Sequence, residues 1–302
     1  MKKLLAIVLA LIMATSVFVG CNKTDAPNSS DSSNSSNSDK NKSDYSEGLK
    51  MYLDGDHYVV AGRGKCKDEK IVIPSHYDGV PVTTIYEEAF LDDKTLTSLT
   101  IPETVTTIQN NAIRGCSNLA EINLPDSLTE LGSGLFWGCN SLPFIEYNEV
   151  YYFGDKENPY MFLYMRKNPK IVSHVVHEDT KYICGIGFEG VNTLESITLP
   201  EGLLVIDNGA FQLCSELRSI TIPDSVTTIY GSAFSTCKNL REVTLGKGLT
   251  NLGNYVFAGC RGVSFRFNGT EAEWEAIDAK INWSEKNGVT SNDPICSDTQ
   301  NQ

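Results

Sequence analysis

The chain has 302 residues, of which 41% are hydrophobic, and a formal net charge of −13. That length suits two average domains or one elongated domain, so it does not decide the number of domains. Asp and Glu (38) outnumber Lys and Arg (25), which argues against a basic face for phosphate groups, so we expect no nucleic-acid partner.

The N-terminus has the pattern of an export signal. Two lysines precede an apolar run over residues 4–14, which is short for a membrane span. The tetrapeptide FVGC that ends at Cys21 resembles the lipobox of bacterial lipoproteins, although Phe18 stands where Leu is usual. The resemblance implies a signal peptide over 1–20 and a lipid on Cys21 that holds the chain at a membrane. The alternative is an ordinary signal peptide with an incidental cysteine.

The segment after Cys21 is polar. Up to Tyr45 it is rich in Ser, Asn and Asp and has no aromatic residue. Such a composition buries too little apolar surface to offset the loss of chain entropy on folding. We therefore predict a disordered tether over 21–46, which holds the folded part away from a membrane.

The folded part begins with a hairpin pattern. In residues 49–62, apolar residues alternate on both sides of an Asp-Gly pair. This pattern predicts two antiparallel strands joined by a tight turn.

A repeat fills most of the remaining sequence. Its large apolar residue recurs at intervals of 23, 23, 52, 23, 23 and 23 residues. The residues are Phe90, Ile113, Phe136, Phe188, Phe211, Phe234 and Phe257. A fixed period of this size is typical of a solenoid, in which each unit covers the apolar face of the next. The long interval is two periods with six added residues, and the addition lies within an insert over 148–168.

Each unit contains one short strand pattern. Ile220 and Ile222 alternate with polar residues, and Pro223 ends the strand because proline cannot donate to a ladder. The other apolar residues are too irregularly spaced for a helix and predict a coiled return arc. The predicted strands lie near 71–73, 99–101, 122–124, 145–147, 175–176, 197–199, 220–222, 243–245 and 265–267. At roughly 4.8 Å per strand, these nine parallel rungs predict a rod about 40 Å long.

The repeat unit also identifies a family. The pattern Ile-x-Ile-Pro-x-Ser-Val-x-x-Ile-x-x-x-Ala-Phe-x-x-Cys-x-x-Leu resembles the BspA-type leucine-rich repeat of bacterial surface proteins, over about residues 49–267. The tail over 267–283 resembles the closing segment of such arrays. We therefore predict a leucine-rich repeat solenoid over 47–267, a right-handed coil of about nine rungs with short parallel strands. The resemblance implies an exported, surface-attached protein that acts in adhesion and is not an enzyme.

Both ends of a solenoid need a cover, since they otherwise expose apolar rungs. The hairpin over 49–62 suits the N-terminal end. At the other end, Trp274 and Ile277 lie three residues apart within 270–280 and predict a short amphipathic helix. We assign residues 268–302 to a C-terminal cap and tail.

Cysteine and histidine raise the question of disulfides and metals. We call the recurring large apolar residue of each unit the repeat residue. Five cysteines lie three positions after a repeat residue: Cys116, Cys139, Cys214, Cys237 and Cys260. We predict a buried row of free thiols, because stacked side chains run parallel instead of facing each other. His174 and His177 point to opposite faces of a strand and cannot share one ion without a bend, so we predict no metal site.

Two surfaces are candidates for ligand binding. The outward strand residues form a ladder of Thr100, Asn123, Glu146, Thr198, Thr221 and Thr244. Threonine is also simply a good residue for a solvated strand, which is the alternative. The insert holds Tyr151, Tyr152, Phe153, Tyr160, Phe162 and Tyr164, which form either an exposed contact patch or a hairpin packed on the edge of the rod.

Two functions are compatible with these features. The first is a lipid-anchored protein on the outward-facing cell surface, which binds an extracellular protein or carbohydrate. The second is an envelope scaffold or spacer without a specific soluble ligand. We find no nucleophile motif or paired acid and base, so we expect no enzyme and no cofactor. We expect a monomer.

Overall fold

The computed structural model describes residues 44–279, residue 283 and residues 294–298. The predicted signal peptide, Cys21 and the predicted tether up to residue 43 lie outside the described residues, as do parts of the tail. The described residues form a solenoid of about nine turns with short parallel strands, which confirms the predicted fold class.

The described part of the chain consists of short strands and one short helix. In chain order the elements are β1 (Lys50–Asp54), β2 (His57–Gly62), β3 (Lys70–Val72), β4 (His76–Tyr77), β5 (Val80–Ile85), β6 (Ser98–Thr100), β7 (Thr107–Ile108), β8 (Glu121–Asn123), β9 (Glu130–Leu131), β10 (Ile145–Tyr147), β11 (Val150–Phe153), β12 (Phe162–Arg166), β13 (Ser173–Val175), β14 (Tyr182–Ile183), β15 (Ser196–Thr198), β16 (Val205–Ile206), β17 (Ser219–Thr221), β18 (Thr228–Ile229), β19 (Glu242–Leu245), β20 (Asn251–Leu252), β21 (Ser264–Phe267), α1 (Glu271–Glu275), β22 (Asp278–Ala279) and β23 (Ile295–Cys296).

Each repeat turn contributes two strands instead of the single one that the sequence predicts. The first ladder is a succession of three sheets, β3-β6-β8, β13-β15 and β17-β19-β21-β23. It includes eight of the nine predicted strands, with bounds within two residues. The second ladder contains β5, β7 and β9, and then β12, β14, β16, β18, β20 and β22. The prediction of a coiled return arc is therefore wrong in part. Most of these second strands have only two residues, too few to show an alternating pattern, and they depend on pairing with the next turn.

Both predicted caps are present. β1 and β2 pair antiparallel, and β2 continues in parallel into β5. At the other end, α1 begins after Thr270, whose side chain accepts from the Glu273 amide in a capping box. The helix is shorter than the predicted range of 270–280. Trp274 nevertheless packs against Phe267, with ring centroids 5.5 Å apart, and Ile277 is buried in the core.

A column of phenyl rings runs through the second half of the solenoid. Phe188, Phe211, Phe234 and Phe257 are fully buried. Their successive ring centroids are 5.3, 5.0 and 5.3 Å apart, and their planes lie within 9° of parallel. The repeat therefore places one ring per turn at the same point, so each ring is covered by the next.

The predicted cysteine row is buried beside the repeat residues. Each Sγ donates to the backbone carbonyl of the repeat residue in the preceding turn, as Cys237 does to Phe211 at 3.2 Å. Cys116, Cys139, Cys214 and Cys260 make the equivalent bonds. All five are free thiols in the structure. Burial raises the pKa of Cys214 to about 12, so its thiol stays protonated and keeps its donor.

The insert divides the solenoid into two stacks. We call residues 44–144 the N-stack and β10–β12 with their connections the wall. The described residues from 167 onward are the C-stack. β10, β11 and β12 pair antiparallel, and β12 then pairs in parallel with β14 of the C-stack. The chain reverses between β10 and β11 at Asn148 and Glu149, which have φ angles of 47° and 64°. β10, which the sequence predicts as one of nine parallel rungs, therefore pairs antiparallel instead.

The wall covers the apolar end of each stack. Phe153 and Phe162 contact Phe136 of the last N-stack turn, with ring centroids 4.9 and 4.7 Å apart. Tyr152 and Leu163 belong to the core of the C-stack. Because neighbouring residues of a strand point to opposite faces, one sheet supplies both covers.

Polar contacts join the two stacks next to the wall. The Tyr182 hydroxyl donates to the Gly132 carbonyl at 2.9 Å, and the Tyr230 hydroxyl donates to the Leu131 carbonyl at 3.2 Å. Asp207 accepts from the Ser133 hydroxyl at 2.6 Å. The three C-stack residues come from three successive turns, so the last N-stack turn lies across the outer face of the second ladder.

We call these polar contacts between the two stacks the junction. Asp207 is its buried charged group. Its carboxylate also accepts from the amides of Asn208 at 2.7 Å, Gly134 at 3.2 Å and Gly185 at 3.3 Å. Burial raises the pKa of Asp207 above its ordinary value, and these hydrogen bonds oppose the shift. The carboxylate therefore joins both stacks at the cost of its own hydration.

Truncating one ring of the column should destabilise the whole fold. Phe211→Ala leaves a cavity between Phe188 and Phe234, and we expect a loss of about 3–5 kcal/mol in the free energy of unfolding. Urea denaturation measures this change. Val175→Ala is the control, because Val175 is 59% exposed and its truncation should change stability by no more than about 0.5 kcal/mol. Equal effects of the two changes would contradict the column as a source of stability.

The junction should make stability depend on pH. The native state raises the pKa of Asp207 above its unfolded value, so the native state binds this proton more tightly. The contribution of this carboxyl to the free energy of unfolding therefore increases as the pH falls from the native pKa to below the unfolded value of about 3.9. Urea denaturation between pH 7 and pH 4 should show the wild type gaining stability relative to Asp207→Asn. The assignment is contradicted if the free energy of unfolding of the wild type, minus that of Asp207→Asn, stays constant or decreases from pH 7 to pH 4.

Candidate ligand-binding surface

The most regular exposed surface lies on the first ladder of the C-stack. Ile220, Val243 and Phe265 point into the core, so the residues beside them point outward. We call the outward row of Thr198, Thr221 and Thr244 the threonine ladder. Thr221 is paired with Thr244 in register across β17 and β19. Within the described residues, these three hydroxyls make no side-chain hydrogen bond, so they are available to a partner.

The predicted face of six residues is not continuous. Thr100 and Asn123 are paired in a separate sheet of the N-stack. Beside them the loop after β11 approaches, and its Asp155 carboxylate accepts from the Leu124 amide at 3.1 Å. Glu146 lies on β10 in the wall, and its carboxylate pairs with Lys167 at 2.6 Å. The wall therefore confines the threonine ladder to the C-stack, and the prediction of one long face is wrong.

An apolar patch adjoins the start of the threonine ladder. Val172 and Val175 are 51% and 59% exposed, and Val175 is paired with Thr198 in register. Between this patch and the turn at Asn148 lies a shallow pocket of about 400 Å³. At the opposite end, Arg266 continues the row from Thr244. The surface thus runs from apolar through hydroxyl-bearing to cationic, a combination that suits a partner with both apolar and polar groups.

The two histidines of the metal alternative have different surroundings. His174 is buried, with its Nε2 2.9 Å from the Tyr152 hydroxyl, and burial lowers the pKa of His174 to about 4. The His177 ring stacks on Tyr160, with ring centroids 3.8 Å apart. Within residues 44–279, 283 and 294–298, no group of three or more His, Cys, Asp or Glu is placed to hold a metal ion.

The aromatic residues of the insert do not form an exposed patch. Tyr152, Phe153 and Phe162 are fully buried, and Tyr164 is 7% exposed. The other two, Tyr151 and Tyr160, are half-buried. The contact-patch alternative is therefore wrong for four of the six. The hairpin alternative is correct about packing and wrong about position, because the strands lie between the two stacks and not on an outer edge.

Comparisons with known proteins agree with this architecture. The family model for the BspA type leucine-rich repeat region matches residues 65–157 and 158–276, with six copies of the repeat. The chain belongs to the BspA-type leucine-rich repeat family. Such BspA-type proteins are repeat scaffolds that are generally exposed at the cell surface. No curated protein matches the chain.

Several solved structures match the chain. A leucine-rich repeat protein of T. pallidum is 24% identical, with 72% of this chain and 78% of that chain covered and a TM-score of 0.35. A leucine-rich cell surface protein of Faecalibacterium prausnitzii is 16% identical, with 80% of this chain and 97% of that chain covered and a TM-score of 0.40. The pneumococcal vaccine antigen PcpA is 18% identical, with 74% of this chain and 81% of that chain covered and a TM-score of 0.39.

The predicted lipid attachment of this BspA-type chain depends on residues outside the described part. Cys21 and the predicted signal peptide belong to that segment. Among the described residues, no helix combines the length and apolar character needed to span a membrane.

Sequence reasoning missed the junction. The sequence feature that indicates the junction lies at an outward position of the second ladder. In successive turns this position holds Tyr182, Val205, Thr228 and Asn251. An apolar residue at a position that is polar in the neighbouring turns indicates burial by something outside the stack. Comparing turns position by position would have found it.

The assignment of faces can be tested with two adjacent residues. Thr221→Arg places a charge in solvent, and we expect the free energy of unfolding to change by no more than about 0.5 kcal/mol. Ile220→Arg buries an unpaired charge in the core, and we expect a loss of more than about 4 kcal/mol or no folded protein. Urea denaturation of both variants provides the measurement. An unfolded Thr221→Arg protein would contradict the outward assignment.

Proposed function

We propose that this chain is a lipid-anchored, outward-facing surface protein that binds an extracellular protein or glycan through the threonine ladder. The observation that carries the proposal is the outward row of the exposed Thr198 and Thr221 and the half-buried Thr244. Val175 is paired with Thr198, and Thr221 with Thr244, in register. Stacked parallel strands hold these side chains rigidly, so little conformational entropy is lost when a partner binds. The exposed valines favour a protein among these partners, because flat protein interfaces are anchored by apolar contacts surrounded by polar groups.

The family supports this proposal at a coarser level. A BspA-type repeat scaffold that is generally surface-exposed has no need of catalysis to act, and we propose binding without enzymatic activity. In this proposal, residues 1–20 are removed on export and Cys21 carries the lipid. The polar tether over 21–46 separates the solenoid from the membrane and keeps the threonine ladder accessible.

A binding screen of the purified full chain in detergent tests the proposal. The probes are immobilised collagen, fibronectin, laminin and fibrinogen, together with a glycan array. Thr198→Arg combined with Thr221→Arg changes two exposed positions of the ladder. We expect these changes to weaken binding at least about tenfold, because each arginine blocks contact and adds charge at the interface centre.

The control is Thr129→Arg combined with Thr250→Arg. It adds the same charge at exposed threonines next to the second ladder and should leave binding unchanged. Equal binding by all three proteins would refute the ladder as the site. An absence of binding to every probe would refute the proposal and favour the envelope scaffold.

A further inference from the structure

A cleft lies on the outer side of the junction, away from the threonine ladder. It has a volume of about 370 Å³, and residues of the last two N-stack turns face residues of the first C-stack turns across it. Ser133, Tyr182 and Asp207 of the junction line it. The junction hydrogen bonds therefore fix its walls, and its volume falls in the range of about 300–1,000 Å³ that is typical of small-molecule sites.

Four side chains of this cleft share one position in the repeat. Arg114 and Trp137 of the N-stack and Glu189 and Gln212 of the C-stack each follow directly after the repeat residue. In the turns that do not line the cleft, this position holds Leu91, Ser235 and Ala258. A cation, an indole, a carboxylate and an amide thus occur where the repeat itself demands no particular residue. The tertiary structure brings these four together.

Trp137 is the most unusual of the four. Its side chain is 59% exposed, although indole is among the most costly side chains to leave in water. The Arg114 guanidinium lies over the ring, with Cζ 4.6 Å from its centroid. This cation–π contact holds the indole beside the cleft, although much of the apolar area of the ring stays exposed to water. In contrast, Trp274 and Trp283 pack against the C-stack core.

The polar groups of the cleft are mainly neutral. Amide side chains come from Asn111, Asn208 and Gln212, and each offers both donors and an acceptor. The charged side chains are the half-buried Arg114, the exposed Glu189 and Asp207, whose carboxylate is buried in the junction, so the cleft does not favour an anion. A ligand that fits has an apolar ring face for the indole and several hydroxyl groups for the amides.

We propose that this cleft binds one or two units of a neutral saccharide, stacked on Trp137. A pyranose ring presents a face of C–H groups to the indole and equatorial hydroxyls to the amides and to Glu189. The acidic balance of the chain, with a net charge of −13, disfavours an anionic ligand. The site is separate from the threonine ladder, so it holds whether or not the ladder binds a partner.

Isothermal titration of the purified full chain with neutral oligosaccharides tests the proposal. The probes are oligomers of β-linked glucose, N-acetylglucosamine and mannose, with adenosine as a non-saccharide ring that can also stack. Trp137→Ala removes the stacking surface and should weaken saccharide binding at least about tenfold. Gln212→Ala should weaken it several-fold, through one lost hydrogen bond.

The matched control is Leu91→Ala, which changes the same repeat position in a turn outside the cleft. It should bind like the wild type, as should the threonine-ladder double variant, and urea denaturation should show each variant folded. Trp137→Phe keeps an aromatic surface and should retain part of the affinity. The proposal is overturned if no oligosaccharide binds with a Kd below about 1 mM, if Trp137→Ala binds like the wild type, or if only adenosine binds.

Discussion

The structure depends on covering the ends of each stack of repeats. A single turn buries its apolar interior only when apolar groups lie against both of its sides, and the end turns lack one neighbour. The β1–β2 hairpin covers the first end, and α1 with the residues around it covers the last. The wall covers two internal ends at once, because alternate residues of its strands point to opposite sides.

This internal cover determines how the two stacks meet. Because β12 enters the second ladder, the last N-stack turn lies beside the outer face of β14, β16 and β18. Contact there requires partners for the backbone groups of residues 131–134. Two tyrosine hydroxyls and the Asp207 carboxylate supply them, and the carboxylate does so at a raised pKa. The junction therefore gains specificity from a group whose burial is unfavourable.

The two candidate surfaces arise from the repeat in opposite ways. The threonine ladder exists because successive turns place the same residue type at the same outward position. The cleft exists because successive turns differ at the position after the repeat residue. Uniform positions produce an extended surface for a large partner, whereas variable positions that converge can recognise a small one. Only the contact between the two stacks beside the wall makes the second kind of surface concave.

The sequence by itself determined the repeat period, the first-ladder strands, the caps and the buried cysteine row. These features follow from local alternation and from a spacing that recurs turn after turn. The tertiary structure decided where the aromatic residues of the insert lie, how the second ladder pairs and which side chains line the cleft. Tyr182, Asp207 and Trp137 depend on contacts between residues far apart in the chain. A period of 23 residues describes neighbouring turns, and it carries no information about where one stack meets another.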